Sequence, residues 1–127
     1  MKEKNGRGLE LLSRVLVEAE RYIGRGDAVQ ASEKLYKASE EAVKEMAFRL
    51  ELSESEEAEK RRRGRWTAPL LFRAVRRLSE RINPEILNWW HAAWFVHVEG
   101  FHEARLDIEE VKARVNAVRE LVSVVEK

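Results

Sequence analysis

The sequence predicts an all-α protein, an up-and-down antiparallel bundle of about five helices formed by residues 1–127 as one domain. Three observations predict it. Apolar residues recur at alternating steps of three and four along most of the chain, the period of a helix face. Glutamate outnumbers aspartate 21 to 2, and Glu, Lys and Arg favour helices where Asp does not. Capping and breaking signals separate the periodic segments by short connections, which favour antiparallel neighbours.

The first helix carries Leu9, Leu12, Leu16, Ala19 and Ile23 on one face and stops at Gly24 and Gly26. Asp27 opens the second, with Gln30 at capping-box spacing. Ala28, Ala31, Leu35, Ala38 and Ala42 line one side of it, small enough to admit a close neighbour. Tyr36, Val43, Ala47 and Leu50 widen the stripe. From Glu51 to Arg65 five acids face five bases, which reads as a short exposed helix or a mobile loop. Ser53 and Glu56 repeat the capping-box pattern, and Glu56–Lys60, Glu57–Arg61 and Glu59–Arg63 stand at the favourable i,i+4 order. Thr67 caps a third helix with Pro69 in its first turn and Leu71, Ala74, Val75, Leu78 and Ile82 on its inner face. Asn83 and Pro84 open a fourth that Gly100 ends. Asp107 and Glu110 open the last, with Ile108, Val111, Val115, Val118, Val122 and Val125 on one face.

The chain is long enough to bury a core without a metal or a disulfide, and it has no cysteine to make either a bridge or a thiol nucleophile. Charge is abundant, 37% of residues, but balanced at a net +1, which argues against a general nucleic-acid coat. The Glu/Lys/Arg richness suits a thermophile, or simply a charged helical protein. No stretch has the ~20 apolar residues of a membrane span, and the polar start from Met1 to Gly8 has no signal core. A cytoplasmic protein is expected.

The fourth helix is unusually apolar: ten of the thirteen residues from Ile86 to Val98, interrupted by Asn88, His91 and His97. A helix apolar all round is buried all round, and a small bundle covers it only in part. A homodimer through Trp89, Trp90 and Phe95 is therefore expected, against the alternative of a central helix in a monomer.

Chemistry is thinly signalled. The run Lys60 to Trp66 has the basic and aromatic residues of a nucleic-acid contact, but its neighbouring acids cancel its bases, and a solvated turn is the simpler reading. His97, His102 and Glu103 have the residue types of a metal site. A step of five is not the i,i+4 pair of one helix face, so no metal and no cofactor is expected. No serine elbow and no glycine-rich phosphate loop occurs, and no residue is assigned a catalytic role.

Three stretches carry a resemblance: Ala31 to Ala38, Arg63 to Thr67, and Ala93 to Ala104 with its Gly-Phe-His-Glu block. Together they resemble the archaeal PaREP family of small helical proteins, which look like members of the wider HEPN class. The resemblance implies a HEPN-like bundle that often dimerises, and a partner that is a nucleotide, an RNA or a protein such as a nucleotidyltransferase. Ribonucleases of that class place an arginine ahead of a histidine with four to six residues between. The corresponding windows before His91, His97 and His102 hold no arginine, so that activity is not carried over. The expectation is a non-catalytic homodimeric binding or interaction module. Its ligand-facing residues would be Lys34, Arg65, Trp66, His97, His102 and Glu103. The alternatives are an RNA or nucleotide hydrolase using His97 or His102 and a structural subunit of a larger complex.

Overall fold

The computed structural model describes residues 4–126, with side chains from residue 8 onward, and all regular structure among them is helical. Helices α1 (Lys4–Gly24) and α2 (Ala28–Arg49) form an antiparallel hairpin. Gly26, at φ 73°, makes the turn in a conformation that favours glycine. Asp27 Oδ1 then accepts the Gln30 backbone N–H at 3.1 Å, the cap its spacing predicts. Helix α2 is the hub. Its Ala31, Leu35, Ala38, Ala42, Val43 and Ala47 are fully buried, and elements pack on it from several sides. Leu50, expected to widen its stripe, instead sits exposed just past the last turn.

The charged segment is a helix, α3 (Ser53–Arg61), and it is half-buried. Leu52 occupies the cap position with no side-chain bond, so the capping box read from Ser53 does not form; Leu52 instead goes into the core. Glu54 is the unexpected member. It is 2% exposed, and Arg77 Nε donates to its Oε2 at 2.8 Å while Arg73 Nε lies 3.6 Å away. This clamp ties α3 to α4 (Ala68–Arg81). Of the expected i,i+4 pairs, Glu56–Lys60 is present at 3.9 Å; Glu57 turns to Arg62 and Arg73. Thr67 Oγ1 accepts the Leu70 N–H at 3.3 Å, and Leu71, Ala74, Val75 and Leu78 face inward as their period requires. Ile82, placed on the same face from sequence, is 43% exposed at the helix end.

Helix α5 (Glu85–Phe95) begins after Asn83, whose Oδ1 accepts the Glu85 N–H at 2.9 Å. It does not end at Gly100. After Phe95 the chain continues without a break into a π-helical segment, Val96–His102, closed by the Glu103 N–H on the Val98 carbonyl at 2.8 Å. Gly100 has a different job from the stop signal it resembles. A Cβ there would fall 2.0 Å from Ser32 Oγ, so the missing side chain lets the π segment lie against α2.

The last periodic stretch is two helices, α6 (Ile108–Lys112) and α7 (Val115–Glu126). The interruption has a local cause. Arg114 Nη1 takes the Glu110 carbonyl at 2.8 Å, and the Arg114 amide drops back to Val111 O at 3.0 Å. The apolar face runs through regardless: Val111, Val115, Val118, Val122 and Val125 are all buried. Arg49 Nη1 fastens the end of α7 by donating to the Val125 carbonyl at 2.6 Å. No described helix is long and apolar enough to cross a membrane.

Candidate functional site

Two helix faces at the edge of the core meet to form a groove. On α4, Pro69, Phe72, Arg73 and Arg76 follow the i, i+3, i+4, i+7 spacing of one stripe. On α5, Leu87, Trp90, His91 and Trp94 follow the same spacing. The two stripes enclose about 560 Å³, within the usual size of a small-molecule site. Phe72 and Leu87 are 42% and 38% exposed, although both are large and apolar.

The groove is aromatic in its floor and cationic at its edge. Trp90 is buried at its base, with its indole Nε1 unpartnered. Phe72 meets Trp94 edge-on, 4.8 Å between centroids and 76° between planes. Arg73, Arg76 and His91 supply the polar rim, and none of the lining residues is acidic. Among the described residues Arg76 pairs with Glu80, 3.6 Å away on the exposed side, and Arg73 with Glu57 and Glu54 from α3.

The aromatic run continues past the groove into the π segment. His97 lies 5.2 Å from Trp94, and His102 meets His97 edge-on at 4.5 Å. Here the π geometry matters. Its i→i+5 bonding puts one more residue in each turn, so a step of five returns to one face where an α-helix would not. Burial lowers the His97 pKa below the usual imidazole value; nearby His102 adds to the effect and Glu33 opposes it. His97 Nδ1 is buried without a partner. Tyr36, under the same ring, has its phenol pKa raised by burial and by Glu40.

The residues singled out from sequence thus divide. His97 and His102 come together beside the groove, and exposed Glu103 follows them directly in the chain. Lys34 stands on α2 toward α1, 3.3 Å from Glu33 and 3.7 Å from Glu18. Burial disfavours its charge, but those carboxylates together outweigh burial and raise its pKa. Trp66 lines a separate hollow with Gly8, Leu11, Lys44 and Phe48. Phe48 is twelve residues along α2 from Tyr36, about 18 Å at helical rise. Arg65 is exposed beside it. Among the expected interface residues Trp90 is 1% exposed, spent inside its own chain. Trp89 and Phe95 are half-buried, with Arg114 stacked over Phe95 at 4.2 Å. No cluster of three or more metal-ligating side chains occurs among the described residues.

Arg73, Arg76 and His91 were not singled out from sequence. Arginines on a charged helix read as a solvated face. The signal that exposes them is the shared spacing: an aromatic and an arginine pair on one stripe of α4 opposite an aromatic and histidine stripe of α5.

Comparison with known proteins fits this architecture. Residues 7–122 match the model of the archaeal PaREP1/PaREP8 family. The chain is similar to a crystal structure of a protein from Sulfolobus solfataricus, with 40% identity and a TM-score of 0.82, covering 90% of this chain and 92% of that one. It is also similar to a solution structure of the same target, with 40% identity and a TM-score of 0.77, covering 91% and 88%. No curated protein matches it significantly.

Proposed function

Starting from the fact that the chain belongs to the archaeal PaREP1/PaREP8 family, we propose that it is a non-catalytic, HEPN-like binding module for a nucleotide or a nucleotide unit of RNA. The observation that carries this reading is the α4–α5 groove: aromatic, rimmed by Arg73, Arg76 and His91, and without a carboxylate among its lining residues in a chain with 23 acidic residues. A planar base stacks on tryptophan and phenylalanine faces. A phosphate takes a forked donor set from arginine better than from any other side chain. Neither component alone needs both kinds of residue.

The test is tryptophan fluorescence and thermal shift of the protein against adenosine and guanosine nucleotides, the matching nucleosides and short single-stranded RNAs. Saturable quenching by nucleotides that weakens in Arg76→Ala supports the reading. Absence of any response across the set removes it.

A second reading, hydrolysis of RNA or a nucleotide, draws on the convergence of His97 and His102 at 4.5 Å. Two imidazoles of unlike environment are the usual means of moving a proton on and off. Turnover of RNA or nucleotide that disappears in His102→Ala would favour it over the binding reading. Homodimerisation through Trp89 and Phe95 belongs to the same proposal and is tested by light scattering on Trp89→Glu and Phe95→Glu. Dimers that persist in both would place the contact elsewhere.

A further inference from the structure

We propose that the notch between the last turn of α1 and the second turn of α2 is a second, separate site, one that holds a phosphate group through Arg21, Arg25 and Lys34. The notch encloses about 150 Å³ and is lined by these three cations with Tyr22 and Glu18. At roughly 30 Å³ per water in the liquid, that is room for one tetrahedral oxyanion and a few waters.

Three features separate it from an ordinary charged surface. Arg49, Arg62, Arg73, Arg76, Arg77, Arg105, Arg114 and Arg119 each hold a carboxylate, and what sets Arg21 and Arg25 apart from the other exposed arginines is that they line one hollow together. Arg21 and Arg25 have no carboxylate partner among the described residues, and Arg25 lies over the Tyr22 ring, 5.6 Å from its centroid. A guanidinium parked on an aromatic face loses little freedom on binding an anion. Second, the cations come from both sides. The negative end of the α1 dipole accounts for arginine in its last turn, but not for Lys34 on α2 turned into the same notch. Third, the one carboxylate is placed usefully. Glu18 Oε1 lies 3.7 Å from Lys34 Nζ and draws the ammonium toward α1, while Glu33 Oε1, on α2 itself, holds it from 3.3 Å. Glu18 is also an acceptor for the hydroxyl proton of monohydrogen phosphate.

On α2, Lys34 and the Tyr36 that meets His97 are two residues apart, which turns them to nearly opposite sides of the helix. The notch therefore stands or falls independently of the α4–α5 groove. The phosphate could be the free ion or the terminal phosphomonoester of a nucleotide, and the chemistry of recognition is the same.

The test titrates inorganic phosphate, and in parallel adenosine 5′-monophosphate, into the full chain at low ionic strength. Arginine Nε–H and tyrosine ring resonances are followed by NMR. Saturable shifts at Arg21, Arg25 and Tyr22 are expected. Arg25→Ala should weaken binding about tenfold, the usual weight of a charge-assisted bond; Arg119→Ala should leave it unchanged. Tighter notch binding by the monophosphate identifies a nucleotide end as the source, and equal binding identifies free phosphate. Shifts reproduced by sodium chloride at matched ionic strength, or unaltered by Arg25→Ala, overturn the proposal. Retention of the notch shifts in Trp94→Ala separates this result from the groove.

Discussion

The imidazole of His97 lies nearly flat on the ring of Tyr36, 3.8 Å between centroids and 19° between planes. The stack joins the π segment to α2 at the point where His102 also arrives. Protonating His97 would place a cation in a half-buried, aromatic setting with a second histidine beside it. The fold therefore favours the neutral ring.

A pH dependence of stability follows. The His97 pKa is lowered on folding, so between that value and about 6.5 the unfolded chain binds a proton that the folded chain refuses. Stability attached to His97 is complete above pH 6.5 and is lost as pH falls from there through the folded-state value. Thermal melts between pH 8 and pH 5 should show a decline in Tm below pH 6.5, and His97→Phe, which keeps the stack, should flatten it. An unchanged slope in His97→Phe would assign the decline to another group.

Gly100 should tolerate no side chain. The alanine Cβ would meet Ser32 Oγ at 2.0 Å and Ser32 Cβ at 2.7 Å, and the second atom cannot swing away. Gly100→Ala is expected to cost about 1–3 kcal/mol of unfolding free energy, the range for forced overpacking. Ser32→Ala should be neutral or slightly stabilising alone, because the buried hydroxyl has no hydrogen-bond partner to lose. Denaturant melts of both variants and of the double mutant check this. Wild-type stability in Gly100→Ala would mean that the π segment slides freely on α2.

Those two residues also show what the sequence could and could not carry. Signals confined to a few neighbouring residues were legible: the Asp27 and Thr67 caps form as their spacing predicts, and the valine face of α6 and α7 is buried. Signals that depend on a partner elsewhere were not. Glycine at a helix end and glycine at a helix crossing look alike in sequence, and only Ser32 tells them apart. Ser53 has capping spacing, yet Leu52 holds the cap position because the core claims its side chain. His97 and His102 stand five apart, which is not the i,i+4 step of one α-helical face, so the sequence by itself does not pair them. The π-turn that makes five the right step leaves no composition signal.

Glu54 gives a prediction in which the partners matter more than the residue. Its carboxylate is buried, while Arg77 and Arg73 are each close to half exposed. Removing the arginines strands a buried charge with one oxygen already unpartnered; removing the glutamate returns the arginines to water. The double variant Arg73→Ala, Arg77→Ala should therefore lose about 3 kcal/mol or more. Glu54→Met, of similar length and apolar, should lose distinctly less. Chemical denaturation of both settles the order, and a larger loss in Glu54→Met would mean that the ion pair itself holds α3 in place.

Trp94 is the residue on which the groove reading turns. It forms the wall opposite Phe72 and is the link between the groove and His97. Base–aromatic stacking contributes roughly 1–3 kcal/mol by alanine substitution, and about 1.4 kcal/mol is a factor of ten in affinity. Trp94→Ala should therefore weaken nucleotide binding about tenfold or more, and Trp94→Phe should recover part of it, since a ring rather than the indole N–H does the stacking. Arg76→Ala should weaken nucleotides while sparing nucleosides, because its guanidinium addresses the phosphate. Trp66→Ala, in the other hollow, should leave affinity unchanged. Loss of binding in Trp66→Ala with none in Trp94→Ala would move the site to the Arg65–Trp66 end of the bundle and leave the α4–α5 groove as packing surface.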